Sequence, residues 1–328
     1  MQIVVLNHTE VERLLPMSEC VEVMAEALTA LSSGHMHQPL RMVVRPPDAA
    51  GLMGLMPAYR AGERAVYGLK AVCVFPGNTA QGKDAHQGSV MLFSGATGEL
   101  LALLNASAIT AIRTGAVSAV ATRLLAREGA GDLAIIGTGV QARSHLAAMA
   151  CVRPIRRVRV ASRAPAHARA FADEQAPQYR FPIEPAASAE AALRGADIIV
   201  TATTAAEPIV QCDWVAPGAH INAVGSSIPT TRELDTATIA AAGLFVDRRD
   251  STLNEAGDYL FAMREGAIGP DHIRAEVGEL LLGAKTGRRS PDEITLFKSL
   301  GLAVEDLAAA EYVYRKAHEQ GAGTWVEF

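Results

Sequence analysis

No apolar run in this sequence approaches the roughly 18–20 residues needed to span a bilayer. The start, MQIVVLNHTEVERLL, lacks the basic stretch and apolar core expected of a secretory signal. An excess of positive charge is missing too. Thirty Lys and Arg against 35 Asp and Glu leave a net charge of −5, so nothing in the balance points to nucleic acid or a membrane surface as a partner. Only four cysteines occur, Cys20, Cys73, Cys151 and Cys212, without paired spacing; they read as reduced thiols of a cytoplasmic protein. No zinc-ligand spacing joins the Cys and His positions, and no metal site is expected. Repeats, long linkers and low-complexity tracts are also lacking. What is present is an ordinary globular composition, 49% hydrophobic and 20% charged over 328 residues. That length exceeds what one core usually supports and suggests two domains.

Residues 18–34 read as a helix, with Ser18 as its cap, Glu22 close behind and Gly34 as its stop. From Leu40 to Leu104 short apolar runs (LRMVV, GLMGLM, GLKAVCVF, SVMLF, ELLALL) alternate with Gly and Pro and contain no helical stretch, which predicts a mostly antiparallel sheet. A small-residue helix over 110–130 follows, closed by Gly129. From 133 onward LAIIG, VRVAS, IIVTAT, HINAVG and LFVD alternate with Ala-rich helices such as 165–176 and 188–195. That rhythm predicts a Rossmann-type doubly wound parallel sheet. A last helix, 303–320, returns to pack on the first domain.

The segment LAIIGTGVQARSH (133–145) places Gly137, Gly139 and Ala142 in a G-x-G-x-x-A pattern between a strand and a helix. The first glycine permits the tight turn and the second admits a pyrophosphate to the backbone. The small third residue lets helix and strand pack closely, and the helix N-terminus supplies free N–H groups. An NAD site usually ends its second strand with an acid that binds the ribose 2′-hydroxyl. Here Ser162 stands at that place and Arg163 follows it. A hydroxyl and a guanidinium suit a 2′-phosphate, so NADP(H) is favoured and NAD(H) is the alternative. A second phosphate-loop pattern, GNTAQGKD (77–84), has Asp84 where a magnesium-binding hydroxyl belongs and runs into a strand rather than a helix, which argues against an ATP site.

Gly-x-Gly-x-Gln with Gln141, RTGAVSAVATR (113–123), PGAHINAVG (217–225) and TLFKSLGLAVEDLAAA (295–310) together resemble the ornithine cyclodeaminase/mu-crystallin family. QPLRMVV, GLMPAY, EPIV and GSSIPTTREL are most similar to its ketimine reductase branch. The resemblance implies an N-terminal α/β substrate and dimerisation domain (1–115), completed by 303–328, around an NAD(P)-binding domain (116–302) whose nicotinamide end lies in the cleft between them. It further implies a homodimer. By position, Thr138, Val140 and Gln141 would contact the pyrophosphate, and Ser162, Arg163 and Ala164 the adenosine end. Thr203, Val224 and Ser299 would lie toward the nicotinamide, and Arg113 would touch cofactor and substrate.

Arg41, Lys70 and Arg113 match the family's substrate positions, with Arg45 a weaker competitor to Arg41. Guanidinium forks suit the carboxylate of an imino or keto acid, and an ammonium in an apolar strand needs an anion beside it. For each, an ion pair with a protein acid is the competing reading. His86 matches a family position in the reductase branch and could bind substrate or donate a proton; a plain loop histidine is the other reading. Cyclodeaminase members carry a catalytic Asp where this chain has Ser227, and a Lys where it has Thr231. Cyclising ornithine requires a base there, whereas reducing a preformed cyclic imine does not. The resemblance therefore implies NAD(P)H-dependent reduction of Δ1-pyrroline-2-carboxylate to L-proline and of Δ1-piperideine-2-carboxylate to pipecolate, with Lys70 and His86 catalytic and Arg41, Lys70, Arg113 and Ser227 binding substrate. Ornithine cyclodeamination, alanine-dehydrogenase-like reductive amination and a non-catalytic NADPH-binding protein are the alternatives.

Overall fold

A computed structural model of the chain describes residues 2–328. It divides into two compact units, one made of Met1–Arg113 with Gly301–Phe328 and the other of Thr114–Leu300.

The first unit is built on an eight-stranded sheet. Its order is Thr324–Glu327, Gln2–Leu6, Leu100–Asn105, His86–Ser94, Val66–Val74, Leu52–Arg60, Met36–His37, with Met42–Val44 also paired to Leu52–Arg60. The strands from Leu52 to Asn105 form the expected antiparallel meander, in register Met56↔Lys70 and Lys70↔Val90. Two strands that sequence reasoning did not anticipate extend it: Gln2–Leu6 joins parallel to Leu100–Asn105 and antiparallel to Thr324–Glu327. Period-two alternation sends Met56, Ala58, Gly68, Lys70, Val72, Val90 and Leu92 to one face. Helix Ala303–Gln320 packs on that sheet. At Gly68 a Cβ would sit 2.7 Å from Leu307 Cδ1, so the missing side chain is what lets the helix approach. On the opposite face Met53 and Tyr67 are exposed, and Leu55, Tyr59, Leu69, Met91, Phe93 and Leu103 are only half-buried.

The helix expected over 18–34 is found at Met17–Ser32. Ser18 does not cap it. Pro16 holds that place without a side-chain bond, its carbonyl accepting from Glu19 and Cys20 N–H. The stop is as expected, with Gly34 at φ +79°.

The second unit carries eight parallel strands in the order Ile183–Pro185, Arg157–Ala161, Asp132–Ile136, Ile198–Thr201, His220–Ala223, Thr295–Lys298, Gly243–Val246, Ile273–Glu276. The winding direction reverses between Asp132–Ile136 and Ile198–Thr201, which makes that crevice the switch point of a doubly wound sheet. Four central strands are buried at every position, as a parallel sheet covered on both faces requires. One expectation is corrected. Helix Ala106–Leu125 is long and apolar enough, by length and composition, to cross a membrane, with 72% of the qualifying window buried inside the protein. Its small residues escape notice as an apolar run because Arg113 and Arg123 interrupt it.

Candidate active site

In the first unit Lys70 and Arg113 come together on one pair of acids. Lys70 lies on the helix-facing side of its strand and is 4% exposed; its Nζ sits 2.6 Å from Asp306 Oδ2 and donates to Thr110 Oγ1 at 3.4 Å. Arg113, equally buried, donates from Nε to Asp306 Oδ1 and from the guanidinium to Glu305 Oε2, both at 2.9 Å. One carboxylate thus separates two cations through its two oxygens. Glu305 and Asp306 stand in the first turn of helix Ala303–Gln320, where the helix dipole favours negative charge. Gln38 Oε1 accepts from Val304 N–H in the same turn. Arg41, half-buried, donates to the Gly301 carbonyl at 2.9 Å.

The electrostatics follow from burial. Desolvation brings the Lys70 ammonium from 10.5 down to about 8; Asp306 opposes the fall, and Arg113 and Arg41 add to it. Burial would push the Asp306 carboxyl up, but Arg113 and Lys70 outweigh it and hold the group ionised. His86 opens its strand opposite Val74 and is exposed at the surface. Partial desolvation and then the Lys70 and Arg113 charges lower its pKa below 6.5, so the imidazole is mainly neutral at pH 7. Arg45 is exposed beyond the Met42–Val44 strand.

Residues 77–84 lie between two adjacent antiparallel strands, Val66–Val74 and His86–Ser94, and so lack the strand-to-helix setting of a phosphate loop.

In the second unit every predicted cofactor residue follows the carboxyl end of a parallel strand or begins the helix after it. Gly137 turns out of Asp132–Ile136 at φ +118°, and a Cβ there would overlap the Ala202 carbonyl. Gly139 caps helix Val140–Val152 without a side-chain bond; a Cβ there would meet nothing within 4 Å. The helix N-terminus is therefore open at the place where a pyrophosphate would sit, and the cradle fits a dinucleotide. The Thr138 carbonyl of this turn accepts from Arg143, which also pairs with Glu174. Ala142 is fully buried, Gln141 is half-buried and Val140 is 55% exposed. Ser162, Arg163 and Ala164 follow Arg157–Ala161; Ser162 and Ala164 are half-buried and Arg163 is exposed. Val224 N–H donates to the Thr201 carbonyl, and Ser299 N–H to the Ala223 carbonyl. Ser227, the predicted substrate contact, is half-buried in the loop after His220–Ala223, in the opposite unit from the cationic cluster. The buried serine of that loop is Ser226, which donates to the Thr231 carbonyl.

Sequence reasoning missed three acids. Glu305 and Asp306 had a signal: two adjacent carboxylates inside the apolar stretch GLAVEDLAAA must turn at least one inward. Glu233 had none, since an acid in REL reads as a surface residue. It is fully buried, and both its oxygens accept hydrogen bonds: from Thr203 N–H and Oγ1 at 2.7 Å each, from Thr201 Oγ1 at 2.7 Å and from Gly225 N–H at 2.8 Å.

Comparison with known proteins adds context to this geometry. The model of the ornithine cyclodeaminase/mu-crystallin family matches residues 1–321. A Delta(1)-pyrroline-2-carboxylate reductase of Bacillus cereus is 41% identical over 325 residues, 99% of each chain. The ketimine reductase mu-crystallin of Mus musculus is 43% identical over 281 residues, 86% of this chain and 85% of the other. Among solved structures, the Thermococcus litoralis Delta(1)-pyrroline-2-carboxylate reductase in complex with NADH and L-proline superposes with a TM-score of 0.95 at 40% identity, covering 98% of this chain and 99% of that one. An archaeal alanine dehydrogenase dimer with bound NAD superposes at 0.94 with 32% identity, covering both chains fully.

Proposed function

The chain belongs to the ornithine cyclodeaminase/mu-crystallin family, and from that premise we propose that it reduces cyclic imino acids with a nicotinamide cofactor, Δ1-pyrroline-2-carboxylate to L-proline and Δ1-piperideine-2-carboxylate to pipecolate. The observation that carries the proposal is the charge of the cluster in the first unit. Arg41, Lys70 and Arg113 bring three positive charges, and Glu305 and Asp306 bring two negative ones. Three cationic side chains gathered in one cluster suit the recognition of a substrate carboxylate. The two acids hold Lys70 and Arg113 in place so that binding needs little reorganisation. Lys70 and Arg113 do form the ion pairs of the competing reading, with Glu305 and Asp306; the proposed substrate role is in addition to those pairs.

When bound in the second unit, the nicotinamide supplies the hydride. The chain's own residues supply the rest. Lys70, near 8, is mostly protonated at neutral pH and close to the value at which proton donation is most effective. His86 is mainly uncharged there, which makes Lys70 the better donor and leaves His86 to hydrogen-bond substrate. The loop from Val224 to Glu233 contains a single acid, and its four donors occupy both oxygens. That disfavours the base that cyclodeamination would need. The test is oxidation of NADPH and of NADH by purified protein with each imine, with product identified as proline or pipecolate. No turnover with either imine and either cofactor, beside an active control reductase, overturns the proposal. Ammonia-dependent oxidation with pyruvate instead would assign the alanine dehydrogenase reaction.

We further infer a preference for NADP(H), supported by Ser162 and Arg163 after the second strand of the parallel sheet. A homodimer is also inferred, supported by the sheet face opposite the helix, where Met53 and Tyr67 are exposed and Leu55, Leu69, Met91 and Phe93 only half-buried.

A further inference from the structure

Three loops of the second unit bear the residues expected near the nicotinamide: Thr203 after Ile198–Thr201, Val224 after His220–Ala223, and Ser299 after Thr295–Lys298. The first two are joined through the carboxylate of Glu233, and the backbone of Glu233 and Leu234 is tied through Asp258 to Lys298, beside the third. Glu233 Oε1 accepts from the backbone and hydroxyl of Thr203, and Oε2 from Thr201 Oγ1 and Gly225 N–H. The Glu233 and Leu234 N–H groups donate to Asp258 Oδ1 at 2.8 and 3.0 Å, and Asp258 Oδ2 pairs with Lys298 Nζ at 2.9 Å. Glu233, Asp258 and Lys298 are all buried. The first two loops meet so closely at this point that a Cβ on Gly225 would overlap both the Thr203 carbonyl and the Glu233 carboxylate.

We propose that Glu233 is a positioning residue for the nicotinamide half of the cofactor, its carboxylate fixing the Thr203 and Val224 loops relative to each other. This rests on the cofactor reading above. Each oxygen accepts from one backbone N–H, which can only donate, and from one threonine hydroxyl. A glutamine of the same shape turns its NH2 group toward one of those two backbone N–H groups and cannot replace it. A buried carboxylate needs its donors in any fold; what points to the cofactor is that the two loops it joins bear Thr203 and Val224, the residues expected near the nicotinamide.

The test compares two ligands on wild type and Glu233→Gln: NADPH, and 2′-phospho-ADP-ribose, which keeps the adenosine and pyrophosphate but lacks the nicotinamide. We expect NADPH to bind at least about tenfold more weakly to the variant, while 2′-phospho-ADP-ribose changes by less than about twofold. Parallel weakening of both ligands, or no change in either, overturns the proposal. If Glu233→Gln fails to fold, Thr201→Val decides. It removes one donor from Oε2 at a fully buried strand position, and should weaken NADPH alone, by about threefold. If the wild type binds neither NADPH nor NADH, the cofactor reading fails first, an outcome distinct from a variant that binds as the wild type does.

Discussion

Arg113 and Arg41 carry the same charge but stand in different surroundings, and substitution should separate them. Arg113 pairs with the buried Glu305 and shares the buried Asp306 with Lys70. Arg113→Ala should destabilise the fold by about 3–5 kcal/mol, as measured by urea unfolding, because buried acids lose their counter-ion. Arg41 is half-buried and bonded to a carbonyl. Arg41→Ala should leave the urea midpoint near that of the wild type but raise KM for the imino acid by about 10- to 100-fold, the value of a charge-assisted bond to a carboxylate. Equal effects on stability from both substitutions would contradict this division. Lys70 sets the pH response. It is protonated, and able to grip a carboxylate, below about 8, so kcat/KM should fall as pH rises through that value. Asp306 holds the Lys70 pKa up, so Asp306→Asn should move the fall to lower pH. A fall that stays in place would mean that another group limits binding.

Among the elements, the glycine turn between Asp132–Ile136 and Val140–Val152 offers a matched pair of tests. Gly137 needs positive φ and has a carbonyl where a side chain would go, so Gly137→Ala should lower stability by about 1–3 kcal/mol with or without cofactor. Gly139 has ordinary φ and open space. Gly139→Ala should unfold like the wild type in urea and yet bind NADPH more weakly, since the new methyl group stands where the pyrophosphate backbone contact is needed. Binding unchanged by Gly139→Ala would place the dinucleotide elsewhere. This turn, the parallel strands and the C-terminal helix were legible because each follows from local spacing: alternation of strands and helices, glycines at fixed offsets, apolar residues every third or fourth place. Glu233, Glu305 and Asp306 were less so. Their importance lies in what they meet, at separations of 30 to 236 residues (Glu233 to Thr203, Asp306 to Lys70), and local pattern carries no such information. The two outer strands were missed for the same reason, because Gln2–Leu6 gains its place by pairing with Leu100–Asn105 and Thr324–Glu327 by pairing with Gln2–Leu6.

For the molecule as a whole, the apolar outer face of the first unit's sheet should decide the state of association. Analytical ultracentrifugation should find a mass twice that of the chain. Replacing Met53 and Tyr67, both exposed on that face, with Glu should halve it, since buried charge without partners opposes association. A wild type sedimenting at the mass of one chain would remove the dimer from the proposal.

The first unit is assembled from both ends of the described chain, with the whole second unit inserted between Arg113 and Gly301. On a ribosome, then, the opening strands emerge with an edge that has no partner, and Lys70 and Arg113 emerge with no Asp306. At about 5–20 residues per second, the missing helix arrives roughly 10–40 seconds later, after about 190 further residues. Throughout that interval Lys70 and Arg113 stand on a sheet without the helix that carries their acids. The inserted parallel-sheet unit is thus fully synthesised before the first unit has its closing helix and strand.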